Sequence, residues 1–206
     1  MDPYQQQIEE TIKTITNQFH RKPHNFFNEH EFHQYCYHVF YSKKEFSKQY
    51  TTLDGKKTNI LKPEYPSIAR FSRKRIEIDP VGVRGHYDMA ILNPEFIQNN
   101  NYRTITNKNI QYSSGNPSDL IAALEFKYIT THSKNFHHEI KYDLFKLGQA
   151  KEARLKYSLI FCNTVKGERN YFTGVEVPEG VDVRYVVVWG KGKEKRMRVK
   201  GVSGND

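Results

Sequence analysis

Residues Leu120 to Ile129, LIAALEFKYI, constrain the fold more than any other stretch of the chain. Apart from Glu125 and Lys127 the run is almost continuously apolar, which reads as a central strand covered on both faces. Such a strand needs layers above and below it, so the expected architecture is a sheet flanked by helices. Alternation puts Glu125 and Lys127 on one face and Phe126 on the other. Two charges in the middle of an apolar strand are costly to bury unless they are paired or bound to a metal ion.

The flanking patterns agree with that architecture. Tyr4, Ile8, Ile12, Ile15 and Phe19 recur at helical spacing and predict a helix over 4–19. A second helix is expected from Asn28, where Asn28 and Glu31 form a capping-box pattern. Its apolar stripe is Phe32, Tyr35, Cys36, Val39 and Phe40. The polar stretch 42–60 reads as turns, with Asp54-Gly55 at a loop tip. Strands are expected over Glu64–Phe71, Arg75–Ile78 and Val81–Leu92, then at Tyr157–Cys162 and Arg184–Trp189, with a helix over about Phe136–Ala153. The asparagine-rich segment 93–118 reads as an insertion or long loop. Together these give an α/β fold with a central mixed β-sheet flanked by helices. One domain of 206 residues is expected, with a core over about 28–190, a basic C-terminal tail over 191–206, and frayed residues from Gly201 to Asp206.

Charge narrows the class of partner. The chain has 32 Lys+Arg against 23 Asp+Glu, a net charge of +9. The excess is concentrated between Lys43 and Arg75 and again over Lys191–Lys200, with tyrosines interleaved, a texture of nucleic-acid-binding surfaces. No apolar run approaches the roughly 18 residues of a membrane span, so no membrane partner is expected. The polar, acidic start argues against a secretory signal. The two cysteines, Cys36 and Cys162, read as buried free thiols, which suits a reducing, cytoplasmic setting. Gly55-Lys56-Lys57-Thr58 lacks the order of a P-loop, and His30, His33, His137 and His138 lack partners at zinc spacing.

Acid-x-Lys occurs three times, at Asp54-Gly55-Lys56, Glu125-Phe126-Lys127 and Glu139-Ile140-Lys141, so the string alone says little. Context separates them, because only Glu125 and Lys127 sit in a buried strand. Asp88 is a lone charge in the apolar part of the Val81–Leu92 strand. If those two strands are neighbours, Asp88 and Glu125 converge into a site for a hard divalent cation such as Mg²⁺, which prefers carboxylate and phosphate oxygens.

This arrangement resembles the PD-(D/E)xK nuclease superfamily, the restriction-endonuclease-like fold, over about Asn28 to Cys162. Tyr87-Asp88 stands where the family has Pro-Asp, and the 93–118 segment has to loop out for the strands to meet. The resemblance implies a Mg²⁺-dependent deoxyribonuclease acting as an endonuclease, with Mn²⁺ as a substitute ion. It assigns metal binding to Asp88, Glu125 and the Phe126 backbone carbonyl, and the attacking water to Lys127. It also implies a carboxylate in the first core helix. Glu29 and Glu31 compete for that role. At 100° per residue Glu29 lies about 50° from the centre of the apolar stripe and Glu31 about 110°, so Glu29 is preferred. Glu64 is an outside candidate, otherwise an ordinary strand-end carboxylate. DNA phosphates are expected to meet Arg73, Lys74 and Arg75, and also Lys141 and Lys146 in a helix containing Asp143-Leu144-Phe145-Lys146-Leu147, where Asp143 and Lys146 could equally form a surface ion pair. Many relatives are dimers, so a homodimer is among the expectations. The rival is a non-catalytic nucleic-acid-binding or assembly subunit of the same fold.

Overall fold

In the computed structural model the described residues are 2–106, 119–130, 136–163, 174–189 and 193–200. The Asp2 side chain accepts the Tyr4 N–H at 2.8 Å and Pro3 sits in the first turn, so helix α1 starts at Pro3 and runs to Arg21. Its buried stripe is Ile8, Thr11, Ile12, Ile15 and Phe19. Helix α2 (Glu29–Tyr41) begins with a reciprocal cap: Asn28 Oδ1 accepts the Glu31 N–H at 2.9 Å, and Glu31 Oε2 accepts the Phe27 N–H at 2.8 Å. This ties Glu31 to the helix start and leaves Glu29 to face elsewhere. The polar 42–60 region holds a short helix α3 (Lys44–Ser47) and a hairpin of β1 (Gln49–Thr51) and β2 (Lys57–Asn59). Gly55 supplies the left-handed turn residue there, at φ +77°.

The main sheet contains β3 (Leu61–Ser72), β4 (Glu77–Ile78), β5 (Val83–Leu92), β6 (Leu120–Ile129), β7 (Ala153–Cys162), β8 (Val181–Trp189) and β9 (Lys193–Lys200). Their order is β4-β3-β5-β6-β7-β8-β9. β6, β7 and β8 are parallel, and the other neighbours are antiparallel, so the sheet is mixed. Helix α6 (Phe136–Gly148) makes the crossover from β6 to β7, ending five residues short of the expected Ala153 because β7 already begins there. Residues 94–98 and 102–106 of the asparagine-rich segment form short helices α4 and α5, while 107–118 lie outside the described residues.

The expected basic tail is corrected in part. Residues 193–200 pair antiparallel with β8 as an edge strand, so the sheet extends past 190. Positions 191–192 and 201–206 lie outside the described residues.

β6 is covered on both faces. Phe126 and Tyr128 pack on Phe32 of α2, at ring centroids of 6.5 and 5.5 Å, and Phe19 of α1 meets Phe161 of β7 at 5.0 Å. On the other face Lys127 and Glu125 meet Asp143 and Lys146 of α6. The predicted alternation of Glu125 and Lys127 against Phe126 therefore holds, with α1 and α2 on one side and α6 on the other. Cys36 and Cys162 are buried and not joined by a disulfide. Among the described residues no helix is long and apolar enough to cross a membrane.

Candidate functional site

β5 and β6 are neighbours only over part of their length. Their last pair is Met89 with Leu124, and Asp88 and Glu125 are the first residues beyond it on each strand. Below that point β5 continues to pair with β3, and β6 with β7. The sheet therefore splits at Asp88 and Glu125, and backbone groups in the split need other partners. Asp88 supplies one, since its Oδ2 accepts the Phe126 N–H at 2.7 Å. A cleft of about 530 Å³ opens at the split, and Glu29, His33, Glu64, Asp88, Glu125, Lys127, Asp143 and Lys146 all reach it.

Three elements deliver one compact donor set. α2 brings His33, whose Nε2–H donates to the Phe126 carbonyl at 3.2 Å and lies 3.7 Å from both Asp88 Oδ2 and Glu29 Oε1. β3 brings Glu64, which stands across from Asp88 between the pairs Pro63–Met89 and Tyr65–Tyr87. Glu64 has φ +49°, a left-handed conformation that costs a non-glycine residue about 1–2 kcal/mol. Strain of this kind gathers at functional sites. One ligand atom each from His33, Glu64 and Asp88 lies within 4.8 Å of the others, close enough to share a cation. Two carboxylates and an imidazole suit a divalent ion that takes oxygen and nitrogen together.

Two lysines neutralise the remaining acids. Lys127 Nζ lies 3.1 Å from Glu29, 3.4 Å from Glu139 and 3.6 Å from Asp143. Burial works to lower its pKa, but Asp143, Glu29 and Glu139 outweigh that and raise it above the ordinary lysine value. Lys127 is thus held as an ammonium. Lys146 Nζ lies 2.8 Å from Glu125 Oε1, donates to the His86 carbonyl at 2.7 Å, and is 3.6 Å from Asp143. Burial again works against its charge, and Glu125 and Asp143 again raise its pKa. The Glu125 side chain is 3% exposed, and burial pushes its carboxyl well up against the pull of Lys146. Burial also raises Asp88, while His33 and the Phe126 N–H pull it down.

The stem of Lys146 passes over Gly85. A Cβ there would meet Ser67 Oγ at 2.8 Å, Lys146 Cδ at 3.0 Å and the Phe71 ring at 3.0 Å. Gly85→Ala is therefore expected to destabilise the fold by about 1–3 kcal/mol through overpacking. A urea unfolding midpoint equal to that of the parent chain would contradict this.

Asp88, Glu125, Lys127 and Glu29 come together in the cleft, and Glu31 stays in the helix cap. Arg73 sits at the rim over the Tyr142 ring at 5.5 Å, its carbonyl accepting from His138 Nε2 at 2.8 Å. Lys74 and Arg75 are exposed nearby, with Arg75 paired to Glu77 at 2.9 Å. Lys146 is a correction. Its side chain is 6% exposed, so the expected i,i+3 pair with Asp143 forms in a buried setting shared with Glu125 rather than on the surface, while Lys146 still lines the cleft. Lys141 is half-buried in α6 and does not line the cleft. Sequence reasoning passed over His33, weighed only as a zinc ligand, and set Glu64 aside. A signal for Glu64 existed in its place between two prolines, Pro63 and Pro66, where a regular ladder is hard to keep.

Compared with known proteins, the chain matches no family model, no curated protein and no solved structure.

Proposed function

We propose that the chain is a divalent-metal-dependent deoxyribonuclease with a restriction-endonuclease-like core, hydrolysing phosphodiester bonds within DNA. The observation that carries this reading is the split between β5 and β6, which gathers Asp88, Glu125 and Lys127 with His33 and Glu64 in one cleft rimmed by Arg73. His33, Glu64 and Asp88 are the residues that would hold the ion, with Glu125 beside them. A divalent ion held there would supply a Lewis acid to polarise a phosphoryl oxygen and acidify a water. The imidazole nitrogen is foreign to Mg²⁺, whose ligands are oxygens, so Mn²⁺ is the better-matched of the two expected ions. The His33 nitrogen cannot both donate to Phe126 and ligate, so the ion competes with that hydrogen bond.

Lys127 is protonated and therefore unsuited to take a proton from water. Its role in this reading is to place positive charge beside the phosphorane oxygens, where negative charge develops, and to orient the attacking water. Glu29, Glu139 and Asp143 keep it in that state. Arg73 at the rim is suited to steering the phosphate chain into the cleft.

The test is cleavage of plasmid and oligonucleotide DNA with Mn²⁺, with Mg²⁺ and with excess chelator. Cleavage is expected with Mn²⁺ at least as fast as with Mg²⁺ and none with chelator. Chelator-resistant cleavage would refute a metal mechanism. Tight DNA binding with no cleavage in either ion would instead favour the non-catalytic subunit.

A further inference from the structure

Three of the six large hydrophobic residues exposed among the described ones fall in one short segment, Ile78 (52% exposed), Val81 (92%) and Val83 (75%). They belong to the arm formed by the end of β3, β4 and the start of β5. Phe71 pairs with Ile78 on one side and with Val83 on the other. Direct partners in an antiparallel ladder present their side chains on the same face. Ile78, Phe71 and Val83 therefore make one apolar row from the sheet edge inward. Phe71 is buried against Tyr142 and Phe145 of α6, so the exposed ends of the row are Ile78 and Val83. Val83 also lines the cleft that holds the carboxylates, as do Tyr142 and Arg73.

The arm is cationic as well as apolar. Over residues 70–84 it carries Arg70, Arg73, Lys74, Arg75 and Arg84 against Glu77 and Asp79. A strand end that is both apolar and positive complements a ligand that is both stacked and polyanionic. Intact duplex presents mainly its phosphates to such a wall, because its bases are stacked inside. An unpaired strand presents bases and phosphates together. The cleft volume of about 530 Å³ lies in the range of roughly 300–1,000 Å³ that encloses a small ligand. That range suits one nucleotide rather than a double helix. A second copy of the chain seated on Val83 would cover the mouth of the cleft.

The geometry points to unpaired DNA as the substrate, with its bases lying on the Ile78–Val83 shelf while the phosphates pass Arg73 toward Asp88. This rests on the nuclease reading above and narrows it. The shelf binds any base, since it offers apolar surface without hydrogen-bonding groups at Ile78 or Val83, so little sequence preference is expected.

The test uses the full chain in metal-free buffer, where no cleavage occurs, with a fluorescein-labelled 20-nucleotide single strand and the corresponding blunt duplex read by anisotropy. The single strand is expected to bind at least about tenfold tighter than the duplex. The double variant Ile78→Ser, Val83→Ser changes only exposed side chains. It is expected to weaken single-strand binding about tenfold, the size of loss expected when apolar contact with two aliphatic side chains is removed, while leaving the duplex unchanged. Equal or tighter binding of duplex by the parent chain would overturn the inference, as would a double variant with unchanged single-strand affinity. A dimer in sedimentation that the double variant dissolves would assign the shelf to a second copy and overturn it too. If cleavage of DNA is established while the two substrates bind alike, the shelf alone fails. If neither oligonucleotide binds and no metal-dependent cleavage occurs, the nuclease reading falls and the shelf with it.

Discussion

Asp88→Asn is expected to lower metal-dependent DNA cleavage by about 10³-fold, since a ligand that orients a divalent ion contributes several kcal/mol to the transition state. Asparagine is the informative replacement. Asp88 has a structural task as well as a charge, because its Oδ2 accepts the Phe126 N–H at the split in the sheet. The asparagine carbonyl can take over that hydrogen bond, so the fold is kept while the charge beside His33 and Glu64 is removed. DNA affinity in chelator should stay within about threefold of the parent, because the cations proposed to meet phosphates, Arg73 among them, are elsewhere. Isothermal titration should show Mn²⁺ affinity reduced at least tenfold. A variant that cleaves at the parental rate would remove Asp88 from the mechanism.

The second large effect is on stability. Lys146→Met is expected to destabilise the fold by about 3–5 kcal/mol, the range for breaking a buried ion pair by deleting one partner. The change strands the Glu125 carboxylate in a dry site and removes the Lys146 hydrogen bond to the His86 carbonyl. The double variant Lys146→Met, Glu125→Gln should recover most of the loss, because the uncompensated charge is gone. pH gives a further check. The folded-state pKa of Glu125 is raised by burial, and losing Lys146 raises it further. A carboxyl with a raised folded pKa binds protons more readily in the folded state, so its contribution is present at low pH and lost as pH rises. The single variant should therefore gain stability on acidification from its raised pKa toward an ordinary glutamate value near about 4.3. A single variant as stable as the parent in urea at neutral pH would show that the pair is dispensable.

The parts of this molecule that could be read from sequence are those set by local pattern. β6 runs over the predicted Leu120–Ile129 because its apolar run is bounded by polar residues. The Asn28–Glu31 pair caps α2, which is also why Glu29 and not Glu31 turns toward Lys127. Features that depend on partners far along the chain were not readable. His33 meets Glu64 and Asp88 only because α2 lies against β3 and β5, and nothing in its neighbourhood in sequence marks it. Lys146 looked like a surface residue because lysine usually is. It is buried because Gly85 makes room for its stem and Glu125 matches its charge. β9 escaped notice because its sequence, KEKRMRVK, is mostly charged, and its strand conformation comes from pairing with β8.

The split between β5 and β6 also has a mechanical meaning. Among the described residues, β3, β4 and the first half of β5 are laddered to the remaining strands along Met89–Leu92, like a beam fixed at one end. The free end carries Asp88, Val83 and Arg73, while Glu125 and Lys127 stand on the fixed side. The gap is spanned by the Asp88–Phe126 hydrogen bond, by Glu152, which accepts from the Ile68 N–H and the Tyr87 hydroxyl, and by α6. Lys146 holds the His86 carbonyl, His138 holds the Arg73 carbonyl, and Tyr142 and Phe145 bear on Phe71. The helix thus acts as a strut across the opening, alongside the Asp88–Phe126 hydrogen bond. A displacement of α6 would shift the two walls and load the Asp88–Phe126 hydrogen bond that joins them.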